Sequence, residues 1–153
     1  MIIAVHGLGR MGMQIARKLS EADHKVIAHN RSPEPVQEAV SYGALAAESK
    51  SDVIAAFEGQ QVVIWVMLPA DIVDSEIKQW LDLSPSGSII VDGGNSDYRK
   101  TKQLNEIVKA KGITLIDVGT SGGVWGYQNG FSMMVGCDDA SAVNNLVPAL
   151  STL

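Results

Sequence analysis

Three glycines at the spacing Gly7-Leu8-Gly9-Arg10-Met11-Gly12 are the first residues in the chain that could do chemistry. They follow an apolar run at residues 2–5 and open a helical pattern at residues 11–20. In that context the motif suits a dinucleotide. Gly7 permits a tight turn, Gly9 lets the main chain approach a pyrophosphate, and Gly12 lets helix and strand pack closely. The helix N-terminus adds unpaired N–H groups and partial positive charge. Leu8, Arg10 and Met11 fall within the same turn and are read with the glycines as cofactor contacts. About twenty residues on, where an acidic residue would hold a ribose 2′-hydroxyl, the chain reads His29-Asn30-Arg31-Ser32. No carboxylate is there to repel a 2′-phosphate. Asn30, Arg31 and Ser32 therefore point to NADP in preference to NAD, a solvated Arg31 being the alternative.

A second constellation follows two later apolar runs. Asp92-Gly93-Gly94-Asn95-Ser96 comes after residues 89–91, and Asp117-Val118-Gly119-Thr120-Ser121-Gly122-Gly123-Val124-Trp125-Gly126 comes after residues 115–116. In an open α/β sheet, ligands sit beyond the carboxyl ends of the strands, so both loops face the crevice of the first glycine turn. Asn95 offers donor and acceptor together, Ser121 a hydroxyl, and Gly122 and Gly123 backbone N–H groups. That set suits a polyhydroxylated carboxylate. Met67, Leu68 and Pro69 end another strand and form a wall of the same pocket, beside the cofactor.

Other reactive side chains read as structural. Asp92 and Asp117 order their loops, and Lys100 and Lys102 follow a helix cap on a solvated face. His6 is expected to be partly buried and satisfied and His24 solvated; His29 falls where an adenine pocket could lie, and no part is assigned to it. Cys137 reads as a small buried hydrophobe, and a single cysteine excludes an intramolecular disulfide framework and a multi-cysteine zinc site. No metal site is expected.

The elements that must position these groups alternate in type. Apolar, β-branched runs recur at residues 2–5, 26–28, 62–67, 88–91, 113–116 and 131–135, nearly continuous as in strands covered on both faces. Helical patterns lie between them at residues 11–20, 33–40, 71–81 and 98–110. Ser49 or Ser51 caps a short helix through Phe57, and Ser96 or Asp97 caps the helix that ends at Lys111-Gly112. Pro148 is expected to interrupt the last helical stretch, residues 140–153. The alternation predicts a single α/β domain over residues 1–153, a doubly wound, mostly parallel sheet of the Rossmann type.

Composition narrows the partners. The chain has 153 residues, 46% hydrophobic and 19% charged, a globular profile. A net charge of −5 argues against a nucleic acid or an anionic membrane as partner. The longest apolar stretch, residues 62–68, is far short of the ~20 residues of a membrane span, and the start lacks a basic n-region. A cytoplasmic location is the expectation.

With GLGRMG, NRS, VMLPA, VDGGNS and DVGTSGGVWG in place, the sequence resembles the decarboxylating 6-phosphogluconate dehydrogenases, in their shorter-chain form, within the β-hydroxyacid dehydrogenases. The resemblance runs along the whole chain. It implies oxidation of 6-phosphogluconate with NADP and loss of CO2 to give ribulose 5-phosphate, in the pentose phosphate pathway. Asn95, Ser121, Gly122 and Gly123 would hold the sugar acid. In the family, the lysine general base, the glutamate general acid and most phosphate-binding cations belong to a following helical domain that also builds the homo-oligomer. None of those positions is in these 153 residues, so this polypeptide alone is expected to bind NADP without appreciable turnover. Two other readings stand beside it. One is a related 3-hydroxyisobutyrate or tartronate-semialdehyde reductase type, which Asn95 and the Val124-Trp125-Gly126 extension disfavour. The other is a stand-alone NADP-binding module without catalysis. An exposed apolar patch near residues 148–153 would follow from a missing helical domain.

Overall fold

The computed structural model describes residues 1–153 apart from Asn95 and Asp97. Strands β1 (Ile2–His6), β2 (Lys25–His29), β3 (Leu45–Ala46), β4 (Val63–Val66), β5 (Ile89–Asp92), β6 (Thr114–Ser121) and β7 (Ser132–Gly136) form one sheet. Its order is β3-β2-β1-β4-β5-β6-β7. Six strands run parallel, and β7 pairs antiparallel with β6. The order reverses between β1 and β4, and ligands of doubly wound sheets bind at such a switch point.

Strands β1, β2, β4 and β5 are almost wholly buried because helices cover both faces. On one face Ile3, Val5, Trp65, Val91 and Ile116 pack against α1 (Arg10–Glu21), α2 (Pro33–Ser41) and α7 (Ala140–Leu150). On the other, Ala4, Ile27, Ile64, Ile90 and Leu115 pack against α3 (Lys50–Ala55), α4 (Val73–Leu83) and α5 (Tyr98–Ala110). Period-2 alternation along each strand therefore feeds two cores, and both must be apolar.

The helix signals resolve locally. Ser49, not Ser51, caps α3: its hydroxyl accepts from the Asp52 N–H while the Asp52 carboxylate accepts from the Ser49 N–H, a capping box. Gly112 stands at φ +68 just past α5, the left-handed position its place after Lys111 suggested. Helix α4 begins and ends two residues later than its apolar spacing indicates.

Several expectations are corrected. Strand β7 is mostly exposed because it is the sheet edge. Strand β6 runs on to Ser121, its last five residues held by antiparallel pairing with β7. A 3-10 turn, Gly123–Trp125, and a short helix α6 (Gly126–Asn129) occupy what reads as a glycine-rich loop. Pro148 does not interrupt α7, which runs through to Leu150, and the Ser151 N–H still reaches the Val147 carbonyl at 2.9 Å. A proline in the last turn removes one donor without disturbing that closing bond. The patch expected at residues 148–153 is not formed as such. Pro148 and the adjacent Val147 are exposed, but Leu150 is half-buried and Leu153 is buried in the core; the other large exposed apolar side chains include Val124, Trp125 and Met134.

Candidate functional site

The glycine turn between β1 and α1 is fixed from three directions. Gly7 has φ +97, and a Cβ there would strike the Met67 carbonyl. Its N–H donates to the His29 carbonyl (3.0 Å), and the Met67 N–H donates to the His6 carbonyl (2.7 Å). A Cβ on Gly12 would collide with the Gly7 carbonyl oxygen, so helix and turn touch without side chains between them. Gly9 differs: nothing lies within 4 Å of where its Cβ would stand. Its face is open to a ligand, and α1 has no acidic residue in its first turn to offset the dipole.

Asn30 braces this turn. Its Oδ1 accepts from the Leu8 N–H (3.0 Å) and its Nδ2 donates to the Ser32 carbonyl (3.1 Å). Leu8 thus has its N–H engaged and its side chain buried, whereas Arg10, Arg31 and Ser32 are exposed and Met11 is half-buried. Sequence spacing put Leu8 and Asn30 among the cofactor contacts; in the fold, the hydrogen bonds recorded for them join the two loops to each other.

One cleft of about 540 Å³ lies at the carboxyl ends of the strands. Of the glycine turn and the loop after β2 only Met11 is among its lining residues, which do not include Gly7, Leu8, Gly9, Arg10, Gly12, Asn30, Arg31 or Ser32. Met11, Met67, Leu68 and Pro69 line one part, Gly93 and Gly94 the middle, and Ser121 the far side. Gly93 must be small because a Cβ would enter the Trp65 indole, and one on Gly94 would press on the Leu68 carbonyl. Asp92 orders this loop as expected. It is buried and accepts from the Gly94 N–H (3.1 Å), Ser96 Oγ (3.0 Å) and Thr101 Oγ1 (3.5 Å). Burial pushes its pKa up, against the pull of those donors. Asp117 is half-buried on β6 and is raised by burial and by the nearby Asp92. Asn95 lies outside the described residues. Gly122 (φ +142) and Gly123 (φ +52) are exposed beyond Ser121 and do not line the cleft itself.

Spacing alone did not reveal Thr120, Ser132 and Met134, which also line the cleft. Their signal is the β6–β7 pairing, in which Gly119 faces Met134 and Ser121 faces Ser132, and an antiparallel edge strand leaves little mark in sequence. A buried cluster beneath the glycine turn was equally hidden. His6 Nδ1 accepts from Trp80 Nε1 (3.0 Å), and its ring lies 4.9 Å from that of His29. Glu76 is 3.9 Å from His6 Nε2 and 2.6 Å from Lys50 Nζ. Burial, with the charge of His29 behind it, lowers the His6 pKa to about 4. His6 is buried and satisfied as expected. His29 is also buried, its Nδ1 3.0 Å from the Ala47 carbonyl. His24 is half-buried against the amino terminus, not solvated. Cys137 is half-buried, its Sγ 3.6 Å from the Leu115 carbonyl. Lys100 and Lys102 are exposed on α5.

The family model for the NAD binding domain of 6-phosphogluconate dehydrogenase matches residues 2–153. The chain belongs to this family. It is 39% identical over 140 residues to the NAD(+)-dependent, decarboxylating 6-phosphogluconate dehydrogenase of Haloferax volcanii, covering 89% of this chain and 44% of the relative. The decarboxylating 6-phosphogluconate dehydrogenase of Haemophilus influenzae is 34% identical over 139 residues, 88% of this chain and 29% of the relative. The chain thus spans less than half the length of these curated relatives. Among solved structures, Plasmodium falciparum 6-phosphogluconate dehydrogenase superposes with a TM-score of 0.88 at 24% identity, over 98% of this chain and 33% of that one. Mycobacterium tuberculosis 3-hydroxyisobutyrate dehydrogenase gives 0.86 at 23%, over 99% and 51%. At those identities the likeness is one of fold, shared across the wider group. The chain is thus the dinucleotide-binding domain of an oxidoreductase family. No described helix is long and apolar enough to cross a membrane.

Proposed function

We propose that this chain forms the cofactor-binding part of a decarboxylating 6-phosphogluconate dehydrogenase that uses NADP. The observation that supports this most is the single cleft in which Met11 of the glycine turn, the Met67-Leu68-Pro69 wall and Ser121 face one another. The bound dinucleotide would supply the hydride acceptor. The open face of Gly9 and the N-terminus of α1 would hold its pyrophosphate, with Arg10 beside them. Exposed Arg31 and Ser32, carried beyond β2, would take a 2′-phosphate, and Asn30 holds that loop against the glycine turn. Met11, Met67, Leu68 and Pro69 present a largely apolar wall that would exclude water from one side of the nicotinamide. Asn95, Ser121, Gly122 and Gly123 would orient the sugar acid so that its C3 carbon meets that ring.

Removing the C3 hydroxyl proton needs a base within hydrogen-bond reach. The described residues lining the cleft include no lysine or histidine, and exposed Lys100 and Lys102 lie on α5 outside it. In this reading base and acid come from a helical domain C-terminal to this one, as does the homo-oligomer. The reaction belongs to the cytoplasm and the pentose phosphate pathway, with no nucleic-acid or membrane partner.

The Haloferax volcanii relative favours a second reading in which NAD is the cofactor. Calorimetric titration of the chain with NADP+ and NAD+ separates the two. Tighter NADP+ binding supports the first, whereas equal or reversed affinities overturn the role given to Arg31.

A further inference from the structure

One helical stripe on α1 is absorbed neither by the cofactor nor by the cores. Gln14, Arg17, Lys18 and Glu21 recur at the i, i+3, i+4, i+7 spacing of one face, turned away from buried Ile15, Ala16 and Leu19. All four reach the same residue, Tyr127 of α6. Gln14 Oε1 accepts from the Tyr127 N–H (2.9 Å), and Lys18 Nζ donates to the Tyr127 carbonyl (3.3 Å). The Tyr127 hydroxyl donates to the Glu21 carboxylate at 2.9 and 2.7 Å. The Arg17 guanidinium lies between two rings, 4.4 Å from the centre of Tyr127 and 4.3 Å from that of Tyr42, while its Nε donates to Glu21 at 2.8 Å.

We infer that Arg17 is a positioning residue that fixes the segment from Gly122 to Gly130 on the helix whose other end faces the pyrophosphate. The segment has few anchors of its own. Gly122, Gly123 and Gly130 have positive φ, and Val124 and Trp125 are exposed. Gly126 is held by the Phe131 ring, which occupies the place a Cβ would take. Between them, α1 holds Tyr127 by both its backbone and its ring. The guanidinium does what an ammonium cannot: its flat face stacks on two rings while its edge pairs with Glu21. Because α1 starts at the glycine turn, the grip ties the loop carrying Gly122 and Gly123 to the cofactor helix as one rigid piece. The inference rests on the reading of that loop as the sugar-acid holder, but its principal test needs no substrate.

Amide hydrogen exchange of the 153-residue chain decides it. In Arg17→Ala, exchange at residues 122–129 rises at least tenfold while amides of β1, β4 and β5 stay within twofold. Arg17→Lys keeps the charge beside Glu21 but not the stack, so it restores only part of the protection. Tyr127→Phe, which keeps the ring, gives a smaller rise at the same residues and serves if Arg17→Ala fails to fold. Calorimetry adds a split that general loosening would not produce: NADP+ affinity within twofold of the parent, with 6-phosphogluconate affinity of the NADP+-loaded chain reduced about tenfold. Unchanged exchange at residues 122–129 in all variants, or an equal rise across the strands, overturns the inference. If the parent chain, whose described cleft residues include no cation for the phosphate, takes up no 6-phosphogluconate, the exchange data alone decide the part played by Arg17.

Discussion

Two single side chains, Arg31 and His6, are expected to act differently, one on cofactor choice and the other on stability. Arg31 is exposed beyond β2 with no carboxylate among His29, Asn30 and Ser32 to compete for it. A charge-assisted hydrogen bond contributes about 1.5–3 kcal/mol, or about 10- to 150-fold in affinity. Arg31→Ala is therefore expected to weaken NADP+ by that factor and leave NAD+ within about threefold, read by calorimetric titration. His6 acts on stability instead. It is neutral in the fold, with Nδ1 accepting from Trp80 and with His29, Glu76 and Lys50 around it, and its pKa falls from 6.5 to about 4. An unfolded chain takes up the proton near 6.5 while the native one resists it. His6 therefore costs no stability above pH 6.5, and its penalty grows as pH falls from 6.5 to 4, reaching about 3 kcal/mol for a side chain this buried. Urea unfolding across that window tests it. The loss on acidification should be smaller in His6→Gln, and parallel curves for parent and variant would remove His6 as the cause.

At the scale of elements, the turn between β1 and α1 separates two kinds of glycine that look alike in the motif. Gly12 would drive a Cβ into the Gly7 carbonyl, which is backbone and cannot swing away, whereas Gly9 has φ −69 and open space beyond it. Gly12→Ala is expected to destabilise by about 1–3 kcal/mol, read as a lower denaturation midpoint. Gly9→Ala should keep its midpoint and lose at least tenfold in dinucleotide affinity. A stable Gly12→Ala that binds normally would remove the packing role assigned to it. The same contrast shows what could be read in advance. The βαβ alternation, the glycine turn and the wall at Met67, Leu68 and Pro69 were legible because local apolar runs and turn residues specify them. Strand β3 was not, being two exposed residues paired with β2. Nor was the reach of β6 to Ser121, which depends on pairing with an exposed edge strand. Tyr127 and its four partners on α1 lie more than a hundred residues apart, and a polar helix face looks the same whether it meets water or another segment.

For the whole molecule, the sheet puts Met11, Met67, Leu68, Pro69 and Ser121 at one end, between cores that fill both faces. That arrangement can hold a dinucleotide and present Ser121 across a cleft of about 540 Å³. The described residues lining that cleft include no lysine, histidine or carboxylate. Among described residues, His6 lies buried below the turn and is occupied by Trp80, and Asp92 is occupied by its own loop. Nor do the described cleft residues include a lysine or arginine that could pair with an anionic ligand. Binding and turnover should therefore separate. The isolated chain is expected to bind NADP+ measurably, yet to reduce it in the presence of 6-phosphogluconate at no more than the background rate at any pH from 6 to 9. Absorbance of the reduced nicotinamide, followed over hours with enzyme in stoichiometric amount, gives the answer. Turnover that rises with chain concentration would mean that a base exists within these 153 residues, and Asp117 on β6 would be the first side chain to replace.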